Sequence, residues 1–172
     1  LELGSRTSLV SGHDDFAPLP AGTVLGGRYA LAERVGAGAF GEVYRASDTE
    51  VPGHVVALKL LYQPATSTES RGAALRELHL IASGFPPSIV PLKDHGWYEN
   101  RLWFVMPWYE GESLEARMRR APLSRLDAHR IFRALARALA AMHAAGIRHQ
   151  DVKPDNVFLA RIQTSADDDV LP

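Results

Sequence analysis

Toward the end of the sequence, His149, Asp151, Lys153 and Asn156 follow one another at two- and three-residue steps. A carboxylate, an ammonium and an amide so close together suit the transfer of a phosphoryl group to a hydroxyl. That step needs a residue to orient the attacking hydroxyl, a cation near the moving phosphate and a ligand for Mg²⁺. Asp151 can accept the hydroxyl proton, Lys153 can neutralise charge developing on the phosphoryl oxygens, and the Asn156 carbonyl offers a neutral oxygen to a hard cation. His149 is better suited to bracing the loop than to chemistry. A plain polar loop closing a helix would explain charged residues here, but not this order.

A second group lies far upstream. Gly36-Ala37-Gly38-Ala39-Phe40-Gly41 has the form G-x-G-x-x-G. Glycines allow backbone amides to approach and cover phosphates, although a tight hairpin would use them as well. In a dinucleotide-binding fold this motif opens a helix. Here an alternating stretch follows it, and then a third strand-like run, which argues against that fold. In that run Val55, Ala57 and Lys59 share one face by the two-residue period. A lysine among aliphatic neighbours is costly to bury unless paired. A phosphate or a carboxylate would satisfy it, or it could snorkel to water from an edge strand. Glu77 lies 18 residues after Lys59, on a helical segment between Leu75 and Leu78. It could reach back to the sheet, or simply be a solvated surface glutamate.

These groups must be held by definite elements. Residues 1–27, rich in Gly, Ser, Pro and Asp without sustained periodicity, read as a flexible leader. Strand patterns cover 29–35, 42–46 and 54–62, with the glycine turn making a hairpin of the first two. A helix is predicted over 66–83, ended by Gly84 and Pro86-Pro87. Two strands, 89–97 and 101–108, join at Glu99-Asn100, and a short helix covers 113–120. The longest helix runs over 124–145, with Ser124 and Asp127 as a capping pair, Ile131, Leu135, Leu139 and Met142 in one stripe, and Gly146 as its stop. Five strands with one inserted helix, followed by helices, predict an α+β fold with the sheet segregated from the helices.

Bulk properties narrow the classes. A net charge of −1 over 172 residues gives no field favouring nucleic acid or an anionic membrane. No apolar run nears the roughly 18 residues of a membrane span. The absence of cysteine removes disulfides and thiolate metal sites and is compatible with a reducing, cytoplasmic setting. The seven histidines are scattered, and Asp167-Asp168-Asp169 reads as a solvated loop. Oligomeric state has no signature.

Taken together, Gly36-x-Gly38-x-x-Gly41-x-Val43, Ala57-Leu58-Lys59, Glu77 and His149-x-Asp151-x-Lys153-Pro154-x-Asn156 resemble the eukaryotic-like protein kinases, from about Tyr29 to Leu159. The resemblance implies a protein-kinase-like fold. A five-stranded antiparallel N-lobe sheet with one helix would cover 28–106. The hinge and an incomplete C-lobe, with its first helices and catalytic loop, would cover 107–172. It implies Mg²⁺ and ATP as cofactors and Ser/Thr hydroxyls of protein substrates as acceptors, the Lys153-Pro154 pair resembling the Ser/Thr branch. Carried over, Val35, Val43 and Ala57 would roof the adenine and Phe158 would floor it. Met106 would be the gatekeeper, and the Pro107 carbonyl and Tyr109 amide would bind adenine. Gly36, Gly38 and Gly41 would cover the phosphates. Lys59 would hold the α- and β-phosphates and pair with Glu77. Asp151 would be the catalytic base, Lys153 the γ-phosphate contact and Asn156 a metal ligand. The Ala- and Arg-rich long helix looks bacterial.

Two departures bear on activity. Gln150 stands where the family's His-Arg-Asp places arginine, and it cannot make a charge-assisted contact with an activation-loop phosphate. Phosphorylation there is therefore not expected to be the main switch. The Asp-Phe-Gly motif does not follow Asn156, so the chain is expected to stop short of it and to have negligible activity alone. A pseudokinase, acting as a nucleotide-binding or scaffolding module, is the alternative.

Overall fold

A computed structural model describes residues 17–82 and 88–161, except that in the helix ending at Ala82 the side chains of residues 77 and 79–82 are not described. The expectation for Asp167-Asp168-Asp169 thus lies outside the described residues. The chain divides into two compact units. One comprises residues 1–75 with 92–106, the other 76–91 with 107–172.

The first unit is built on a six-stranded sheet, one strand more than the sequence predicts. Its order is β1-β2-β3-β4-β6-β5, with β1 Val24–Leu25, β2 Tyr29–Gly38, β3 Gly41–Asp48, β4 Val55–Pro64, β5 Asp94–Tyr98 and β6 Arg101–Pro107. The extra strand, β1, lies in the segment that reads as a leader. It pairs Val24 with Ala30 and Leu25 with Tyr29. Two residues are too few to show a period, and what holds them is burial: Leu25 is 1 % exposed. In β3 and β4 the alternation is clear, broken only by the small residues Gly41 and Ala57, which are buried on the outward face. Tyr44, Ala46, Val56, Leu58 and Leu60 enter a core with Tyr29, Leu31, Trp103 and Val105, while Val43, Arg45 and Lys59 on the other face stay half-buried. Burying each large apolar side chain stabilises by about 1.5–3 kcal/mol. The β5–β6 hairpin turns at Glu99 and Asn100, both at positive φ (47° and 64°), as the favoured two-residue turn requires. Strand pairing in β5 starts only at Asp94, later than the alternation from Ile89 suggests.

Two carboxylates enter the same interior. Glu42 and Asp48 continue the inward face of Tyr44 and Ala46, and both are buried. Glu42 accepts from the Tyr44 hydroxyl at 2.6 Å and from Arg34 at 3.0 Å. Burial first, then this bond, pushes the Tyr44 phenol up to about 12. Asp48 accepts a bidentate pair from Arg28 at 2.8 and 2.7 Å and a backbone bond from Glu50 at 3.1 Å. Buried carboxylates persist when paired in this way.

Between the strands, α1 (Thr68–Ala82) is capped reciprocally: Ser70 N–H donates to the Ser67 hydroxyl oxygen at 3.0 Å, and Ser67 N–H to Ser70 Oγ at 3.1 Å. In the second unit, β7 (Gly111–Ser113) leads into α2 (Leu114–Arg120) and α3 (Arg125–Ala144). The Ser124 hydroxyl accepts from Asp127 N–H at 3.0 Å, realising the predicted cap. At the other end Gly146, at φ 75°, takes the left-handed position. Its N–H donates to the His143 carbonyl, and Ile147 N–H to that of Met142, both at 2.9 Å; this six-to-one and five-to-two pattern satisfies the last carbonyls. A 3₁₀ turn, Pro154–Asn156, and β8 (Phe158–Ala160) complete the unit, with β8 antiparallel to β7.

Candidate active site

The predicted site residues divide between the two units, so each half is described by itself. In the first unit, strands β2 and β3 run through the glycine motif. They pair Gly36 with Val43 and Gly38 with Gly41, leaving Ala39 and Phe40 as the turn. The three glycines are not equivalent. A Cβ on Gly41 would lie 2.3 Å from the Leu60 carbonyl oxygen, whereas one on Gly36 or Gly38 would meet nothing within 4 Å. Gly41 is therefore demanded by the close approach of β4, while the packing leaves Gly36 and Gly38 unexplained. Phe40, at the tip, is 62 % exposed.

Register then sets the lysine strand. Val43 pairs with Lys59 and Arg45 with Ala57 across β3–β4. Lys59 and Val43 are half-buried, Ala57 is buried and Val35 is 46 % exposed. Ala57 and Lys59 share one face of β4, as the two-residue period predicts. Met106 closes this unit on β6. Glu77 lies on α1, but its side chain is not among those described.

In the second unit, the catalytic-loop residues converge. Lys153 Nζ lies 3.0 Å from Asp151 Oδ2. The Asn156 amide nitrogen donates to the same oxygen and to the Asp151 carbonyl, both at 2.8 Å. Asp151 N–H donates to the His149 carbonyl at 2.8 Å. The Lys153 ammonium first, then the Asn156 amide, holds the Asp151 carboxyl below the ordinary carboxylate range, so it is ionised at neutral pH and can accept a proton. The Asn156 amide nitrogen is thereby committed to Asp151, and its carbonyl oxygen is the group of that side chain able to accept. Among the described residues no group of three or more His, Cys, Asp or Glu could hold a metal ion. Any Mg²⁺ at Asn156 would therefore draw further ligands from a nucleotide or from elsewhere. Gln150, between His149 and Asp151, sits at φ 62°, a conformation that non-glycine residues rarely adopt and that concentrates at functional loops.

The short β7–β8 ladder, which the sequence does not reveal, fixes this loop. Ser113 pairs with Phe158, Glu112 with Leu159 and Gly111 with Ala160. Leu114 N–H donates to the Val157 carbonyl at 2.7 Å. Phe158, expected under the adenine, is thereby held opposite the residue that caps α2, and is 49 % exposed. Three-residue strands carry no readable period. Their only signal is the apolar run Val157-Phe158-Leu159 directly after the polar loop. Tyr109 is 39 % exposed, and the Trp108 indole N–H donates to Glu110 at 2.8 Å.

A two-unit chain with a glycine hairpin, a lysine strand and an Asp-x-Lys-x-x-Asn loop is the framework of a protein kinase. The family model described as "Protein kinase domain" matches residues 29–166, and the chain belongs to that family. It is 39 % identical over 144 residues to the serine/threonine-protein kinase PknE of Mycobacterium bovis, covering 83 % of this chain and 24 % of that protein. It is 32 % identical over 143 residues to PknJ of Mycobacterium tuberculosis, with the same two coverages. Among solved structures, the PknI kinase domain of Mycobacterium tuberculosis superposes with a TM-score of 0.69 at 34 % identity, over 84 % of this chain and 60 % of that one. The chain thus spans about a quarter of the length of these curated relatives. The protein-kinase-like fold is as the sequence predicts, apart from the sixth strand. The family uses ATP and a divalent metal and acts on proteins. No helix among the described residues is long and apolar enough to cross a membrane.

Proposed function

We propose that this chain supplies the nucleotide-binding sheet and the catalytic loop of an ATP-dependent protein Ser/Thr kinase. The observation that carries the reading is the convergence of Lys153 and Asn156 on the Asp151 carboxylate. In this reading the chain's own groups have distinct tasks. Asp151, kept ionised by its neighbours, orients the substrate hydroxyl and receives its proton as the oxygen attacks. Lys153, at 3.0 Å from Asp151, would contact the γ-phosphate and neutralise its developing charge. Asn156 offers its carbonyl oxygen to Mg²⁺. Gly36 and Gly38 leave room beside the backbone for phosphates, Gly41 keeps the hairpin seated on β4, and Lys59 would hold the α- and β-phosphates, with Glu77 the carboxylate that the family resemblance assigns to it. Val35, Val43, Ala57 and Met106 of the first unit and Pro107, Tyr109 and Phe158 of the second are the residues that would hold the adenine. The ATP and metal supply the transferable phosphoryl group and the neutralising charge.

The test compares the chain alone with the longer natural protein that contains it, using Mg-ATP and a Ser/Thr protein substrate. The chain alone is expected to transfer no detectable phosphate. The longer protein is expected to do so, and Asp151→Asn should lower its kcat by about 10²–10⁴, the usual contribution of a positioned base. Transfer that survives Asp151→Asn would refute the role of Asp151. A longer protein that binds ATP but transfers nothing would instead support the pseudokinase, with Gln150 as one of its departures from the family.

A further inference from the structure

Away from the catalytic loop, the second unit has a depression of about 320 Å³ whose lining includes Arg117, Leu123, Arg130, Ile131, Leu159 and Arg161. Its floor is apolar and its rim is cationic. Arg130 and the Arg161 side chain form no ion pair with any described residue. Arg117 donates to the Ala121 carbonyl at 2.7 Å, a bond that leaves its charge uncompensated. Two carboxylates share the rim: Glu112 is paired with Arg120, whereas Asp127, which accepts from the Ser124 hydroxyl at 2.7 Å, keeps its charge, so the three arginines leave the rim net positive. Arg130 also belongs to a separate basic face of α3 outside the depression. Arg130, Arg133 and Arg137 fall at i, i+3 and i+7, hence on one face, and all three are exposed. The stripe of Ile131, Leu135 and Met142 lies on the other side of the helix. The Arg161 backbone, donating to the Glu110 carbonyl at 2.7 Å, fixes the far edge of the rim.

We propose that this depression docks an extended acidic segment of a protein partner, one in which carboxylates alternate with leucine-like side chains. Guanidinium groups match carboxylates in charge and in fork geometry. The period of an extended chain would direct alternate side chains toward the rim and toward Leu123, Ile131 and Leu159. The apolar floor and the interspersed Glu112 and Asp127 disfavour a polyphosphate or a nucleic acid, which would bring dense charge and no apolar side chains. The volume, at the small end for ligand pockets, suits one or two side chains. The assignment goes beyond the proposed phosphoryl transfer and does not depend on it.

The test is fluorescence anisotropy of labelled peptides against the full chain, without nucleotide. A Glu-Leu repeat should bind in a salt-sensitive manner, and a Lys-Leu repeat should not. Arg130→Glu and Arg161→Glu, each checked for native circular dichroism, should weaken binding about tenfold or more, as reversing a charge at a contact does, while Arg119→Glu on the outer side of α2 should change it less than about twofold. Equal binding of a Glu-Ser repeat, or no binding of the Glu-Leu repeat, would overturn the proposal. If removing residues 162–172, which include Asp167-Asp168-Asp169, tightened binding about tenfold, that segment would be the occupant in cis, and the partner in trans would be refuted.

Discussion

The sheet of the first unit and the long helix of the second treat apolar side chains in opposite ways. Tyr44, Leu58, Leu60 and Val105 are at most 1 % exposed, and even the carboxylates among them, Glu42 and Asp48, are paired inside. In the twenty residues of α3 only Ala138 and Met142 are buried, while Leu126 and Phe132 are 57 % and 71 % exposed. The two halves of the candidate site inherit this difference. Gly41 and Lys59 are held by close packing and strand register, although the hairpin tip beyond them is exposed. Asp151, Lys153 and Asn156 are held by hydrogen bonds among themselves and by a ladder of three residue pairs. Packing resists small shifts strongly, whereas exposed hydrogen bonds open locally at little cost.

Core truncation breaks the comparison most directly. Leu58→Ala should destabilise by about 2–5 kcal/mol, the range for a buried leucine, whereas Phe132→Ala, on an exposed site, should cost less than about 0.5 kcal/mol. Urea titration of both variants checks this, and comparable losses would mean that α3 is as tightly packed as the sheet. A smaller effect separates glycines within one loop. Gly41→Ala must push β3 away from β4 and should cost about 1–3 kcal/mol, as overpacking does. Gly38→Ala should leave the melting temperature within a degree or so and instead weaken ATP binding, read by calorimetry. If Gly38→Ala bound ATP normally, the phosphate role of that glycine would fail.

The smallest effect sharpens the comparison through two carboxylates. Arg28 first, with help from the Glu50 amide and His54, holds Asp48 well below the ordinary range; Lys153 and Asn156 lower Asp151. A group with a depressed folded-state pKa stabilises the fold above its unfolded pKa, near 4 for Asp, and that stabilisation is lost as pH falls through the folded value. Melting temperatures measured from pH 6 down to pH 2 should therefore fall below about pH 4 in the unmodified chain. Asp48→Asn should flatten part of that decline, because the Asp48 carboxylate is buried against Arg28. Asp151→Asn should leave most of it, because the loop can adjust.

What the sequence reveals follows the same division. The strands through Tyr44 and Leu58 were legible because each is long enough to show the two-residue period. Ser124, Asp127 and Gly146 marked α3 because capping is local chemistry. Asp151, Lys153 and Asn156 could be read from spacing alone, since one loop brings them together. By contrast, β1, β7 and β8 are too short to carry a period and exist through pairing with distant residues. The inward Glu42 and Asp48 lie in register with Tyr44 and Ala46, so the signal was present. Charge argues for an exposed position, and only the partners Arg34 and Arg28, brought in from β2 and its approach, reverse that.

Trp103 gives this molecule an optical handle. The chain has three tryptophans. Trp103 alone belongs to the core cluster, 3 % exposed, edge-on to Tyr29 at 5.8 Å, and so close to Gly96 that a Cβ there would lie 2.3 Å from its ring. Its indole N–H has no hydrogen-bond partner among the described residues. An indole so dry and unbonded emits at the blue end of the tryptophan range, while Trp97 beneath the Arg71 guanidinium and Trp108 beside Glu110 emit further to the red. A red shift on unfolding would thus report chiefly the sheet's core in the first unit.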